Sequence, residues 1–203
     1  MSENRQYTAL LTAAVARLAD RSPEDIVRRA NLHYDSGTGT FSFETLGRPV
    51  RIRWPECTLD TPLEMWHHLT VLQYMAEADG SPLTDDWISL REFKEGGLAR
   101  GGSFDEENDR IVRRALGRMD IEALAEAASK LGGARIAGKA DLSMGFFFMP
   151  NFPLALHLWL ADDEFPASCK VLCNGAAEHY LKVEAAGTVA GILLRELEKA
   201  AGV

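Results

Sequence analysis

Residues 154–160 read Leu154-Ala155-Leu156-His157-Leu158-Trp159-Leu160, an uninterrupted alternation with a period of two. In an extended chain successive side chains point to opposite faces. The four leucines therefore share one face, and Ala155, His157 and Trp159 share the other. A wholly aliphatic face belongs in a core, which makes this a half-buried strand with an imidazole and an indole turned away from the leucines. The preceding stretch, Ala140 to Met149, alternates in the same way. Leu142, Met144, Phe146 and Phe148 take one side, and Ser143, Gly145, Phe147 and Met149 take the other. Pairing the two strands gives a second face carrying Phe147, Met149, His157 and Trp159, which is either covered by a further layer or open as a groove.

Outward from this pair, Ser168 to Cys173 reads as another strand and Tyr180 to Val183 as a more weakly patterned one. The chain closes in a helix with Val189, Ile192, Leu193 and Leu197 on one side. Toward the amino terminus, Tyr7, Leu10, Leu11, Ala14, Val15 and Leu18 recur at helical spacing. Ser22-Pro23-Glu24-Asp25 starts a short second helix with a capping hydroxyl and an early proline. The period changes to two between Gly37 and Trp54, a β-hairpin. Thr61-Pro62-Leu63-Glu64 has the form of a capping box and predicts a helix to about Ala78, apolar around most of its circumference and so central. Trp87 to Leu90 is strand-like, Gly96 to Gly102 reads as a flexible loop, and Ser103 with Glu106 caps a helix to about Leu116. A further helix runs from Asp120 to Leu131 and stops at Gly132-Gly133. With no repeat and no linker, these elements predict one α+β domain over residues 1–203. Its antiparallel sheet has about five or six strands and is packed with about five or six helices.

The balance of 22 basic against 30 acidic residues, a formal charge of −8, argues against a nucleic-acid duplex or an anionic membrane as the partner. The amino terminus lacks the pattern of a secretory signal, and the apolar run Met144 to Pro150 is far short of the ~20 residues of a bilayer crossing. The expected location is cytoplasmic, where the three cysteines stay reduced. Cys169 and Cys173 on one strand would stand ~13 Å apart, too far to share a metal.

Several groups invite chemistry. Gly96 to Ser103 nearly spells a phosphate-binding loop, but glycine replaces its lysine and the following helix opens with acids that repel an anion. Arg110, Arg113, Arg114 and Arg118 lie late in a helix with an acidic start, as in an ordinary solvated helix. His67 and His68 are adjacent on a helix, about 100° apart, and have no histidine partner at i+4; no metal site follows and no cofactor is identified. Asp162-Asp163-Glu164 ends the strand of Trp159. Crowded acids there either form a turn before Pro166 or raise one another's proton affinity for acid–base work, with Asp163 and Glu164 the catalytic candidates. Ligand-binding candidates are His157, Trp159 and Asp162 with Trp87, Arg91 and Arg100, the two arginines positioned to hold an anionic substrate.

At these residues the chain resembles a known family, the "domain of unknown function 3786" proteins of anaerobic bacteria and archaea. The likeness rests on Gly80-Ser81-Pro82-Leu83, Trp87-Ile88-Ser89, Arg91-Glu92, Gly96-Gly97 and Leu131-Gly132-Gly133. Trp159-Leu160-Ala161-Asp162-Asp163-Glu164-Phe165-Pro166 is its most specific part. The resemblance covers nearly the whole chain and brings no established activity. It implies a link to anaerobic metabolism, since some members carry an amino-terminal iron–sulfur domain of corrinoid-protein type. Where members commonly show Leu-Phe-Asp, this chain has Leu172-Cys173-Asn174. Three readings follow. The first is a ligand- or partner-binding domain serving cofactor-dependent anaerobic metabolism, its partner a protein of corrinoid or iron–sulfur chemistry. The second is a small enzyme using Asp163 and Glu164 on an anionic or metal-bound substrate. The third is a structural subunit whose aromatic face joins copies into a homo-oligomer.

Overall fold

The computed structural model describes the backbone of residues 2–203 and the side chains of residues 5–203. Helices α1 (Ser2–Ala19) and α2 (Pro23–Ala30) lead into strands β1 (His33–Asp35), β2 (Thr40–Thr45), β3 (Arg48–Arg53) and β4 (Thr58–Leu59). Then come α3 (Met65–Glu77), β5 (Trp87–Ile88), α4 (Gly97–Ile111), α5 (Ile121–Lys130), β6 (Ala134–Arg135), β7 (Leu142–Met149), β8 (Phe152–Trp159), β9 (Ser168–Asn174) and α6 (Val183–Ala201). The architecture is α+β.

Residues 154–159 of the alternation lie in β8, the middle strand of a five-stranded antiparallel sheet ordered β5-β9-β8-β7-β6, and Leu160, half-buried, follows its end. Leu156 stands opposite Met144 on one side and Val171 on the other. Leu154, Leu156 and Leu158 are at most 1% exposed, and each fully buried leucine contributes about 1.5–3 kcal/mol. The helices cover this face, with α6 packed against α3, α4 and α5, and α1 outside on α3. As expected of a central helix, α3 buries Leu69, Val71, Leu72, Tyr74 and Met75.

The hairpin between Gly37 and Trp54 belongs to a second, four-stranded sheet ordered β1-β2-β3-β4, so the strands divide between two sheets. Its two-residue turn, Leu46-Gly47, has both residues at positive φ (47° and 68°), the geometry of a type I′ hairpin. The turn docks on the larger sheet. Leu46 N donates to Phe147 O at 3.0 Å, and a β-carbon on Gly47 would lie 2.7 Å from Gly132 N. Below it, Thr45 Oγ1 meets His67 Nε2 at 2.7 Å, and the His67 ring stacks on Phe148.

Three local expectations are corrected. Helix α3 opens at Met65, not after Thr61, because the Glu64 carboxylate accepts from Trp66 N (3.0 Å) and His67 N (3.3 Å) and acts as the cap itself. Residues 96–102 are not a flexible loop: Gly96 caps α4, and the rest are its first turns. Gly97 and Gly101 lie against the 3-10 turn Leu90–Glu92. β-Carbons there would come within 2.7 Å of Leu90 O and 2.6 Å of Arg91 N, so glycine is required by close packing rather than by mobility. Residues 180–183 are not a strand, because Tyr180 N and Leu181 N bond back to Ala177 O as in a helical turn. The Tyr180 hydroxyl donates to Ser81 O and accepts from Asn151 Nδ2 at 3.1 Å, which anchors the entry to α6.

Candidate functional site

The face of β7–β9 turned away from the leucines carries His157 and Trp159, their ring centroids 6.4 Å apart. Trp159 is 37% exposed, Phe147 57% and Trp87, on the edge strand β5, 42%. Met149 departs from the expected face. A bulge after Phe147 inserts one residue, so Phe147 pairs with Pro153 but Met149 with Phe152, and both Phe148 and Met149 turn into the core. His157 Nδ1 meets Ser143 Oγ at 2.9 Å. Burial, then Lys170, lowers the His157 pKa and keeps the ring neutral. This serine–histidine pair lies against the loop before β7: a β-carbon at Gly138 would collide with Ser143 Oγ, so the glycine packs directly on the hydroxyl.

The acidic segment is a turn. Asp162 Oδ1 accepts from Glu164 N (2.9 Å) and Phe165 N (2.6 Å), and these bonds hold its carboxyl below the usual range. Asp163 and Glu164 are exposed on that turn. Arg91 pairs with Asp105 at 2.8 Å, and Arg100 lies 3.7 Å from Glu184; both ion-pair partners belong to the helical layer, not to the face of Trp159. Of the sequence candidates, the fold brings His157 and Trp159 together, places Asp162 just after them and sets Trp87 at the sheet edge. Asn174 is structural: its side chain accepts from Thr84 N (3.0 Å) and Ala176 N (3.1 Å) and donates to Thr84 O (2.7 Å), a donation that a carboxylate could not make.

Burial pushes the Cys57 thiol up to about 11 and those of Cys169 and Cys173 up to about 12, which suppresses thiolate chemistry at neutral pH. His67 is buried and falls to about 4, while His68 Nε2 meets Cys57 O at 3.2 Å. Among the described residues no three histidine, cysteine, aspartate or glutamate side chains are grouped as metal ligands, and no helix is long and apolar enough to cross a membrane.

A cleft of about 970 Å³ opens elsewhere, between α1 and α3 on one side and α4 and α6 on the other. α4 and α6 run side by side in one direction, with Arg100 near Glu184, Phe104 on Gly187 and Arg114 bonded to Glu198 at 2.7 Å. One turn beyond Phe104 is Asn108, and one turn beyond Gly187 is Gly191, so Asn108 stands level with Gly191. The Phe104 ring rests directly on the helix, 2.5 Å from where a β-carbon of Gly187 would be. A β-carbon at Gly191 would approach only the far end of the Arg195 side chain, at 3.0 Å, and otherwise point into open space. Leu10, Trp66 and Leu69 form the opposite wall.

Asn108 is 4% exposed, lines this cleft, and among the described residues its carboxamide has no hydrogen-bond partner. The buried polar atoms without a partner do not include those of Asn108, so its amide faces the cleft rather than being sealed in the wall. Sequence reasoning did not find this site. Its visible trace is Gly187 and Gly191 at i, i+4 inside an otherwise strong helix, each costing about 1 kcal/mol relative to alanine with no turn to require it.

A family model described as "Domain of unknown function (DUF3786)" matches residues 22–196, and the chain belongs to that family. Helix α1, which contributes Leu10 to the cleft, precedes the matched part. No curated protein and no solved structure matches the chain.

Proposed function

We propose that this member of the DUF3786 family is a small-molecule-binding domain whose ligand lies in the cleft between α1, α3, α4 and α6. The observation that carries this reading is the Asn108 carboxamide, on a residue 4% exposed at the cleft wall, with no hydrogen-bond partner among the described residues and open to the cleft. A ligand atom there can take up its hydrogen bonds. The volume, about 970 Å³, is in the range of small-molecule sites, and the walls combine Leu10, Trp66, Leu69, Phe104 and Ile192 with charged and polar side chains at the rim. Over Gly191 lies the flexible end of Arg195 alone, so a larger side chain there would push it into the cleft.

The test uses the uncharged fluorophore N-phenyl-1-naphthylamine with the wild type and Gly191→Leu. The expected result is micromolar binding to the wild type that weakens at least about tenfold in the variant, while the variant melts no lower than the wild type. Equal binding by both proteins, or none by the wild type, refutes the reading.

A second reading, a contact face for another protein chain, is favoured by Trp87, Phe147 and Trp159 all standing exposed on one sheet face. Sedimentation of the wild type against a Phe147→Ser, Trp159→Ser variant tests its homo-oligomeric form: a strict monomer in both removes it.

A further inference from the structure

We infer that the first half of α1, residues 5–13, is a lid on the cleft, latched by Tyr7 on Trp66 and wound down over a bound ligand, while residues 14–19 stay fixed. This rests on the cleft being a ligand site. α1 and α3 lie side by side and run in one direction, with Tyr7 beside Trp66 at one end and Arg17 beside Glu77 at the other. The contacts that anchor α1 gather at the second end. Ala14 and Leu18 are buried in the core, and Arg17 Nη1 donates to Glu77 Oε1 at 2.9 Å. Just past the helix, Arg21 Nη1 donates to Ala78 O at 2.9 Å. Burial thins toward the amino end, where Leu11 and Tyr7 are half-buried and Leu10 and Gln6 are exposed. There the Tyr7 ring meets the Trp66 ring edge to face, their centroids 5.9 Å apart.

The cleft lies at the loosely held end. Gln6 and Leu10, one turn apart, are what α1 contributes to its lining, and they face Trp66, Leu69 and Gln73 of α3. A segment with few buried side chains opens at a lower cost than the fold as a whole. Swinging all of α1 outward would pull Ala14 and Leu18 from the core and break both arginine bonds. Unwinding from the amino end breaks neither, because a helix frays turn by turn from its terminus. It removes the wall at Gln6 and Leu10 and uncovers the cleft from that side. A molecule in the cleft gives Leu10 and Gln6 a surface to pack on, so it binds the wound form better and shifts α1 toward it. Tyr7 is outside the lining, so its contact with Trp66 sets how readily the lid opens without touching the ligand.

The experiment follows amide hydrogen exchange along α1 in the full chain, with and without saturating N-phenyl-1-naphthylamine, and fluorophore dissociation by stopped flow. In the free protein, amides of residues 9–13 are expected to exchange at least about tenfold faster than those of residues 16–19, and to slow by about tenfold with the fluorophore bound, while 16–19 change little. Tyr7→Ala is expected to speed dissociation about threefold to tenfold, the worth of one aromatic edge contact, with the exchange of residues 16–19 as in the wild type. Thr12→Ala, an exposed change that favours the helix, is expected to slow dissociation about twofold. Equal exchange along the whole of α1, no protection of residues 9–13 by the fluorophore, or dissociation unchanged in Tyr7→Ala overturns the lid and leaves the cleft standing as a site. So does dissociation from Thr12→Ala that is no slower than from the wild type. A fluorophore that does not bind, or that binds equally to Gly191→Leu, brings down the site and the lid together.

Discussion

Replacing Asn108 by leucine should make the protein more stable. The wild-type residue is 4% exposed, and its carboxamide has no hydrogen-bond partner among the described residues but is open to the cleft, so little of the penalty of a sealed polar group, about 1–3 kcal/mol, applies. Leucine adds roughly 0.5 kcal/mol of helix propensity within α4, and has the cleft beside it to take its extra volume. The net expectation is a gain of up to about 1 kcal/mol, which for a chain of this size raises the melting temperature by roughly 2–4 °C. Urea unfolding followed by far-ultraviolet circular dichroism measures it directly, with an unchanged m-value showing that the folded state is as compact as before. Ligand binding should move the other way, since the leucine offers no hydrogen bond, so stability and affinity separate in one variant. A loss of about 1 kcal/mol or more would mean that the amide is satisfied within the fold, and the argument for the cleft would lose its main support.

Two glycine-to-alanine changes in neighbouring helices should have opposite signs. Gly191→Ala should stabilise by up to about 1 kcal/mol, whereas Gly101→Ala, whose β-carbon would lie 2.6 Å from Arg91 N, should destabilise by about 1–3 kcal/mol; thermal melts of both variants check this. His67, neutral in the fold with a pKa of about 4 against 6.5 unfolded, makes stability full above about pH 6.5 and progressively lost as pH falls through 6.5 to 4. The window corresponds to roughly 3 kcal/mol at ~1.4 kcal/mol per unit. Urea titrations at pH 7 and pH 4 should show a larger loss for the wild type than for His67→Gln, and equal losses would contradict the assignment. Asp162→Ala, which releases two backbone N–H groups of its turn, should cost about 1 kcal/mol, while Glu164→Gln should leave the melting temperature within experimental error. Trp159→Ser, at a side chain 37% exposed beyond the leucine core, should cost well under the about 3–5 kcal/mol of a buried tryptophan, read from the same urea curves.

The alternation at Leu154 to Leu160 was legible because a strand's two faces are written at a period of two, and burial of one of them follows from the side chains alone. The same holds for the apolar circumference of α3, for the hairpin at Gly37 to Trp54, and for the acids of Asp162 to Glu164, one of whose two readings was the turn they form. Other features depend on what lies across the space from a residue. Gly97 and Gly101 read as a mobile loop because glycine reports only the absence of a side chain; that the absence admits the backbone of Leu90 and Arg91 is a fact of the neighbouring turn. Met149 alternates into the wrong face because a one-residue bulge is set by pairing between β7 and β8, not by either strand's pattern. Division of the strands into two sheets, joined through Leu46 and Phe147, likewise follows from contacts a hundred residues apart. The cleft is the clearest case. Asn108 and Arg195 are unremarkable at their own positions, Gly191 marks only a missing side chain, and local patterns record which face of a helix is apolar. What remains unfilled between four helices, and which polar group faces it, emerges only when all four have packed.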